Sequence, residues 1–121
     1  MIKITRTSTI EALQSAIDLM GPDYTYVTPG GEDAAVDVMC SYVDQAKNAP
    51  SCIVGHVLYA HGVTLSELVQ YEGESAHKTA TAFGASEQVG DMLNRVQELQ
   101  DKGVSWGEAV KGAYIHICAE H

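Results

Sequence analysis

Cys52 and His56 stand four residues apart in PSCIVGHVLYAHG. On a helix that spacing puts a thiol and an imidazole on one face, a turn apart. Thiolate and imidazole are zinc's preferred ligands, taken in tetrahedral sets of four. Cys40 from the preceding segment and Cys118 or His116 from the end of the chain could complete a set. Against this, no Cys-x-x-Cys pair occurs, and the spacings match no zinc motif. Three cysteines are an odd count for a disulfide framework, and reduced thiols packed as small hydrophobes are the simpler reading. No cofactor is expected, and Cys40, Cys52, His56 and Cys118 are kept as the alternative metal set.

Acid–base chemistry needs an imidazole or carboxylate held in a cleft. His61, His77 and His116 could serve, with Glu67 orienting one of them. The surrounding motifs do not support an enzyme. Residues 29–33, PGGED, lack the lysine and the helix of a phosphate loop, and no nucleophile elbow is present. Ser51 and Cys52 open a helix, where a thiolate is favoured, but their neighbours are apolar and point to burial.

The stretch HVLYAHGVTLSELVQYEGESAHKTATAFGAS is similar to a helix-turn-helix, with LSELVQYEGE in the place of the recognition helix. That helix offers Gln70 and Tyr71 to a base edge. It has no Lys or Arg, and it carries Glu67, Glu72 and Glu74. Three acids facing phosphates are repelled, so direct nucleic-acid binding is not expected.

The elements that must position these residues follow from capping and periodicity. Residues 2–6 alternate and read as a short strand or lead-in. Ser8 with Glu11 reads as a capping box for a first helix carrying Ile10, Leu13, Ile17 and Met20, stopped by Gly21 and Pro22. Tyr24 to Val27 and Val38 to Val43 read as two strands of a ribbon. QAKNAP is a polar loop. The run from Ser51 or Cys52 to His61 is apolar nearly all round and reads as a buried helix. Thr64 with Glu67 caps the next helix, which should end near Gly73. A short weak helix covers Ser75 to Phe83. Ser86 caps an amphipathic helix with Val89, Met92, Leu93, Val96 and Leu99 on one stripe. Ser105 with Glu108 caps the last helix. Gly62-Val63-Thr64 and Gly103-Val104-Ser105 share one grammar: a glycine stop, a valine staple and a hydroxyl cap. They predict two tight helical corners.

With 121 residues and 45% hydrophobic content, the chain reads as one domain with a modest core. The expected fold is α+β and helix-dominated, with about five helices and one small two-stranded antiparallel ribbon. No apolar run reaches the roughly 20 residues of a membrane helix, and MIKITRTSTIEALQ has no apolar signal core. The expectation is a soluble, cytoplasmic protein.

The formal net charge is −9. From Glu32 to Glu74 there are seven acids (Glu32, Asp33, Asp37, Asp44, Glu67, Glu72 and Glu74) and Lys47 alone. Solubility is the ordinary use of such charge, and attraction of basic partners is the functional one.

The segments CSYV (residues 40–43), PSCIVGHVL (50–58) and LQDKGVSWGEAV (99–110) resemble small uncharacterised proteins of actinobacteria and their bacteriophages. The resemblance implies a cytoplasmic, phage-encoded accessory protein and carries no chemistry with it. The expectation is therefore a non-enzymatic acidic protein that binds a host or phage protein, with room for a homo-oligomer. Its surface would be Glu67, Gln70, Tyr71, Glu72 and Glu74. The alternative is a small metal-binding or helix-turn-helix-like regulator.

Overall fold

The computed structural model describes residues 3–26, 41–45 and 47–120, with side chains as far as residue 113. Among these lie six helices and one two-stranded antiparallel sheet. The fold is helix-dominated α+β, as the patterning predicts.

The first helix, α1 (Arg6–Met20), begins earlier than expected. Thr5 is its cap, and Ser8 is the box partner rather than the cap. Ser8 N–H donates to Thr5 Oγ1 at 3.0 Å, and Thr5 N–H donates back to Ser8 Oγ at 3.0 Å. A serine thus fills the role usually taken by Glu or Gln. Thr9, Ala12, Leu13, Ala16 and Ile17 face inward, the spacing of a helix with one buried stripe. After Gly21 the chain turns along the start of the last helix, α6 (Trp106–Glu120). Trp106 N–H donates to Tyr24 O at 2.8 Å and Gly107 N–H to Pro22 O at 2.9 Å. Two first-turn donors of α6 are satisfied in this way.

Of the described residues expected in the ribbon, Val43 alone is in it. Val43–Asp44 (β1) pairs with Ala49–Pro50 (β2), Val43 opposite Pro50 and Asp44 opposite Ala49. Of QAKNAP, read as a loop, Ala49 and Pro50 are β2, and the hairpin reverses before them at Asn48 with φ 52°, a conformation asparagine tolerates better than most residues. Val27 and residues 38–40 of the expected strands lie outside the described residues. Tyr24 to Tyr26 form no strand, because Tyr24 O already serves α6. Tyr26 reaches Ser41 through its side chain instead, accepting Ser41 N–H on its hydroxyl at 3.1 Å.

Helix α2 (Ile53–Ala60) buries Ile53, Val54, Gly55, Val57 and Leu58, while Tyr59 is 49% exposed. The expected burial thus holds on most of the helix and fails at its exit. Helix α3 (Leu65–Val69) is shorter than expected, and turns carry the chain on to Gly73. Helices α4 (Ala76–Ala82) and α5 (Glu87–Asp101) form a hairpin, capped by Ser75 and Ser86. Both helical corners are present, with Gly62 at φ 98° and Gly103 at φ 87°, and Val63 is fully inside.

Helix α5 does more than bury its stripe. Gln100 Oε1 accepts Ile53 N–H at 2.9 Å, and Gln97 Oε1 accepts Ala76 N–H at 2.9 Å. Both glutamines are buried. They cap the first turns of α2 and α4 from outside those helices. Trp106, Tyr42, Leu13, Ile53, Leu58 and Leu68 are the largest fully enclosed side chains among the described residues. Burying an aliphatic one of that size contributes roughly 1.5–3 kcal/mol. No helix of the described residues is long and apolar enough to cross a membrane.

Candidate functional site

The corner after α2 gathers most of the residues singled out by the sequence. Of the acidic surface, Glu72 is turned inward. Its carboxylate accepts Tyr42 N–H and Ser41 Oγ–H, each at 2.6 Å. These are charge-assisted bonds, roughly twice as strong as neutral ones. They pin the lead into β1. Tyr42 is held at its other end as well, its hydroxyl donating to Glu74 O at 2.7 Å beside Thr79 Oγ1. Glu67 closes the box of α3, taking Thr64 N–H at 3.1 Å. Glu74 pairs with Lys78 at 3.0 Å. Tyr71 is half-buried edge-on to Phe83, their ring centres 5.1 Å apart. Gln70 alone of the five is exposed with no bond from its side chain. Glu67, Glu72 and Glu74 are therefore engaged in holding the fold.

The most outward carboxylates of the α4–α5 hairpin lie beyond this corner. Glu87, 81% exposed, and Asp91, 58% exposed, flank His77, which approaches them at 2.6 and 3.6 Å.

Cys52 is the cap of α2, fully buried, with Sγ accepting Gly55 N–H at 3.4 Å. His56 lies half-buried one turn on, its ring edge-on to Trp106 at 5.4 Å. Burial lowers its pKa from the usual 6.5, because desolvation disfavours the imidazolium. Among the described residues no group of three or more His, Cys, Asp and Glu could hold a metal ion. Cys40 and the side chains of His116 and Cys118 lie outside them. The helix read as a recognition helix is five residues long and acidic in its first turn.

One polar constellation was not assembled from the sequence. His61, the C-terminal cap of α2, lies against the first turn of α1. Its Nδ1 stands 2.8 Å from Val57 O and its Nε2 2.7 Å from Ser8 Oγ. A carbonyl only accepts, so Nδ1 carries a proton, and in the tautomer protonated there alone Nε2 accepts the Ser8 hydroxyl. Both residues are half-exposed. The arrangement is a hydroxyl, a base, and a third group that fixes the base's tautomer. Ser8 was visible as a helix-start residue and His61 as a proton carrier, but they are 53 positions apart. No local pattern links them.

Comparison of the chain with protein-family models, with curated proteins and with solved structures yields no match.

Proposed function

We propose that this chain is an acidic accessory protein that works by binding another protein, one with a basic contact surface. The observation that carries this reading is the net charge of −9. It is joined to carboxylates that project from the α4–α5 hairpin, Glu87 and Asp91 above all. Such a field repels phosphate backbones and speeds encounter with cationic surfaces. The contact surface takes in Gln70, the exposed parts of Glu67, Tyr71 and Glu74, and the rim at Glu87 and Asp91. Glu72 supports that surface from within.

Capture from a lysate of the source cells tests this, with the wild-type chain and a Glu87→Lys, Asp91→Lys double variant as baits. Both positions are exposed, so the variant should stay folded. Specific partners should be basic, should elute as salt rises past physiological strength, and should be lost or much weakened on the variant. Retention of every partner by the charge-reversed bait would defeat the proposal.

A further inference from the structure

We propose that Ser8 is a nucleophile that accepts acyl groups from neutral, activated esters, with His61 as its general base. The proposal stands on geometry alone and does not depend on the binding reading above.

One hydrogen-bonded chain links these groups. Thr5 N–H donates to Ser8 Oγ at 3.0 Å, the Ser8 hydroxyl has two acceptors, His61 Nε2 at 2.7 Å and Thr5 O at 3.2 Å, of which the imidazole is the nearer, and His61 Nδ1–H donates to Val57 O at 2.8 Å. Nucleophile and base are within hydrogen-bond reach, and the base is oriented by a fixed acceptor, the pattern expected of an activated hydroxyl. Ser8 has its base delivered by a different helix, and both partners are open to solvent on one side. The backbone N–H on Oγ and the position in the first turn of a fifteen-residue helix favour negative charge as it develops there.

In the first step Ser8 Oγ attacks the carbonyl carbon of the ester while its proton passes to His61 Nε2. The imidazolium keeps its Nδ1–H on Val57 O. The tetrahedral adduct collapses, the bond to the leaving alkoxide breaks, and His61 returns the proton to that oxygen. The products are the Ser8 ester and an alcohol. Water, giving its proton to His61 Nε2, then attacks the ester carbonyl. The bond to Oγ breaks, and Ser8 recovers its proton with release of the acid. The chain's negative charge disfavours anionic esters, so the substrate class is neutral. One brake is built in. Thr5 Oγ1 stands 3.1 Å from Ser8 Oγ, and when its hydroxyl donates there it occupies the lone pair that would attack. That bond is exposed and exchanges with water, so attack requires the Thr5 hydroxyl to turn away.

The test is covalent labelling of the full chain with a neutral alkyl fluorophosphonate, read by intact mass and peptide mapping. The expected result is a single adduct on Ser8, absent in Ser8→Ala. Labelling of His61→Gln should be slowed roughly 100-fold, the scale of general-base assistance. Urea titration establishes that each variant is folded. An unlabelled wild-type chain, or labelling of Ser8 at an unchanged rate in folded His61→Gln, overturns the proposal. The wild-type result decides whether Ser8 is a nucleophile even where a variant fails to fold, and a loss of the labelling rate below about pH 6 in wild type tests the base without a substitution.

Discussion

Gly55→Ala should destabilise the protein although it places a better helix former in the middle of α2. In an exposed helix this change stabilises by about 1 kcal/mol. Here the added Cβ would fall on the carbonyl oxygen of Tyr42, with Tyr42 C and Cα both at 3.1 Å. The obstacle is backbone, and it cannot retreat. Tyr42 is fully buried, its N–H is held by Glu72, and its hydroxyl is held at Glu74. Either α2 lifts off Tyr42 or the two bonds to Glu72 are stretched. Overpacking a tight core costs about 1–3 kcal/mol, and a weakened charge-assisted bond adds about 1 kcal/mol or more. After the propensity gain is subtracted, the net loss should be about 1–3 kcal/mol. For a chain of this size that lowers Tm by roughly 5–20 °C. Gly112→Ala is the matched control, since its Cβ meets only the end of the Leu99 side chain at 3.0 Å. Thermal and urea unfolding followed by circular dichroism measure both. If Gly55→Ala is as stable as the control, the close approach of α2 to Tyr42 is not where it has been placed.

Glu72→Ala leaves Tyr42 N–H without its acceptor and should cost about 2–4 kcal/mol by urea unfolding, from the loss of two charge-assisted bonds. Gln100→Leu strands the buried Ile53 N–H and should cost about 1–3 kcal/mol, with hydrogen exchange speeding first at the start of α2. Gly62→Val meets no neighbour within 4 Å but must hold φ near 98°. It should cost at least about 1–2 kcal/mol, and Gly62→Asn should recover part of that in the same melt. His56, whose pKa is lowered by burial, stays neutral in the folded chain when the unfolded chain takes up a proton. Stability should therefore fall as pH drops through 6.5 towards the folded value. Urea midpoints at pH 7.5 and 5.5 should differ less in His56→Gln than in wild type, and an equal difference refutes the assignment. Taking that difference also removes Asp101, whose pKa burial raises against the bond from Gln100.

Helix existence and most boundaries were legible because their signals are local. The Ser75 and Ser86 caps and the Thr64–Glu67 box each span three residues, and so do the glycine stops at Gly62 and Gly103. The start of α1 was misplaced because Ser8 looks like a cap with an acid three residues on. Thr5 three residues earlier does the same work, and only the fold selects between them. The ribbon was misregistered because Tyr24 and Tyr26 have strand-like side chains but give a carbonyl and a hydroxyl to α6 and Ser41. The surface at Glu67, Glu72 and Glu74 looked free because carboxylates usually are. What holds Glu72 is a backbone N–H some 30 residues away, and no periodicity reports such a bond. The Ser8–His61 pair was hidden by the same kind of separation.

The two inward glutamines of α5 have a consequence for how the molecule opens and closes. Helices α2 and α4 have eight and seven residues, too few to persist alone in water. Each keeps a first-turn amide satisfied only while α5 is docked. Neither can fray from its start without breaking its bond to α5, and release of α5 frees both first turns together. Native-state hydrogen exchange should therefore find the first turns of α2 and α4 opening with α5 as one unit. The three helices then form a single cooperative block, and α1 is joined to it at the end of α2 through the Ser8–His61 bond.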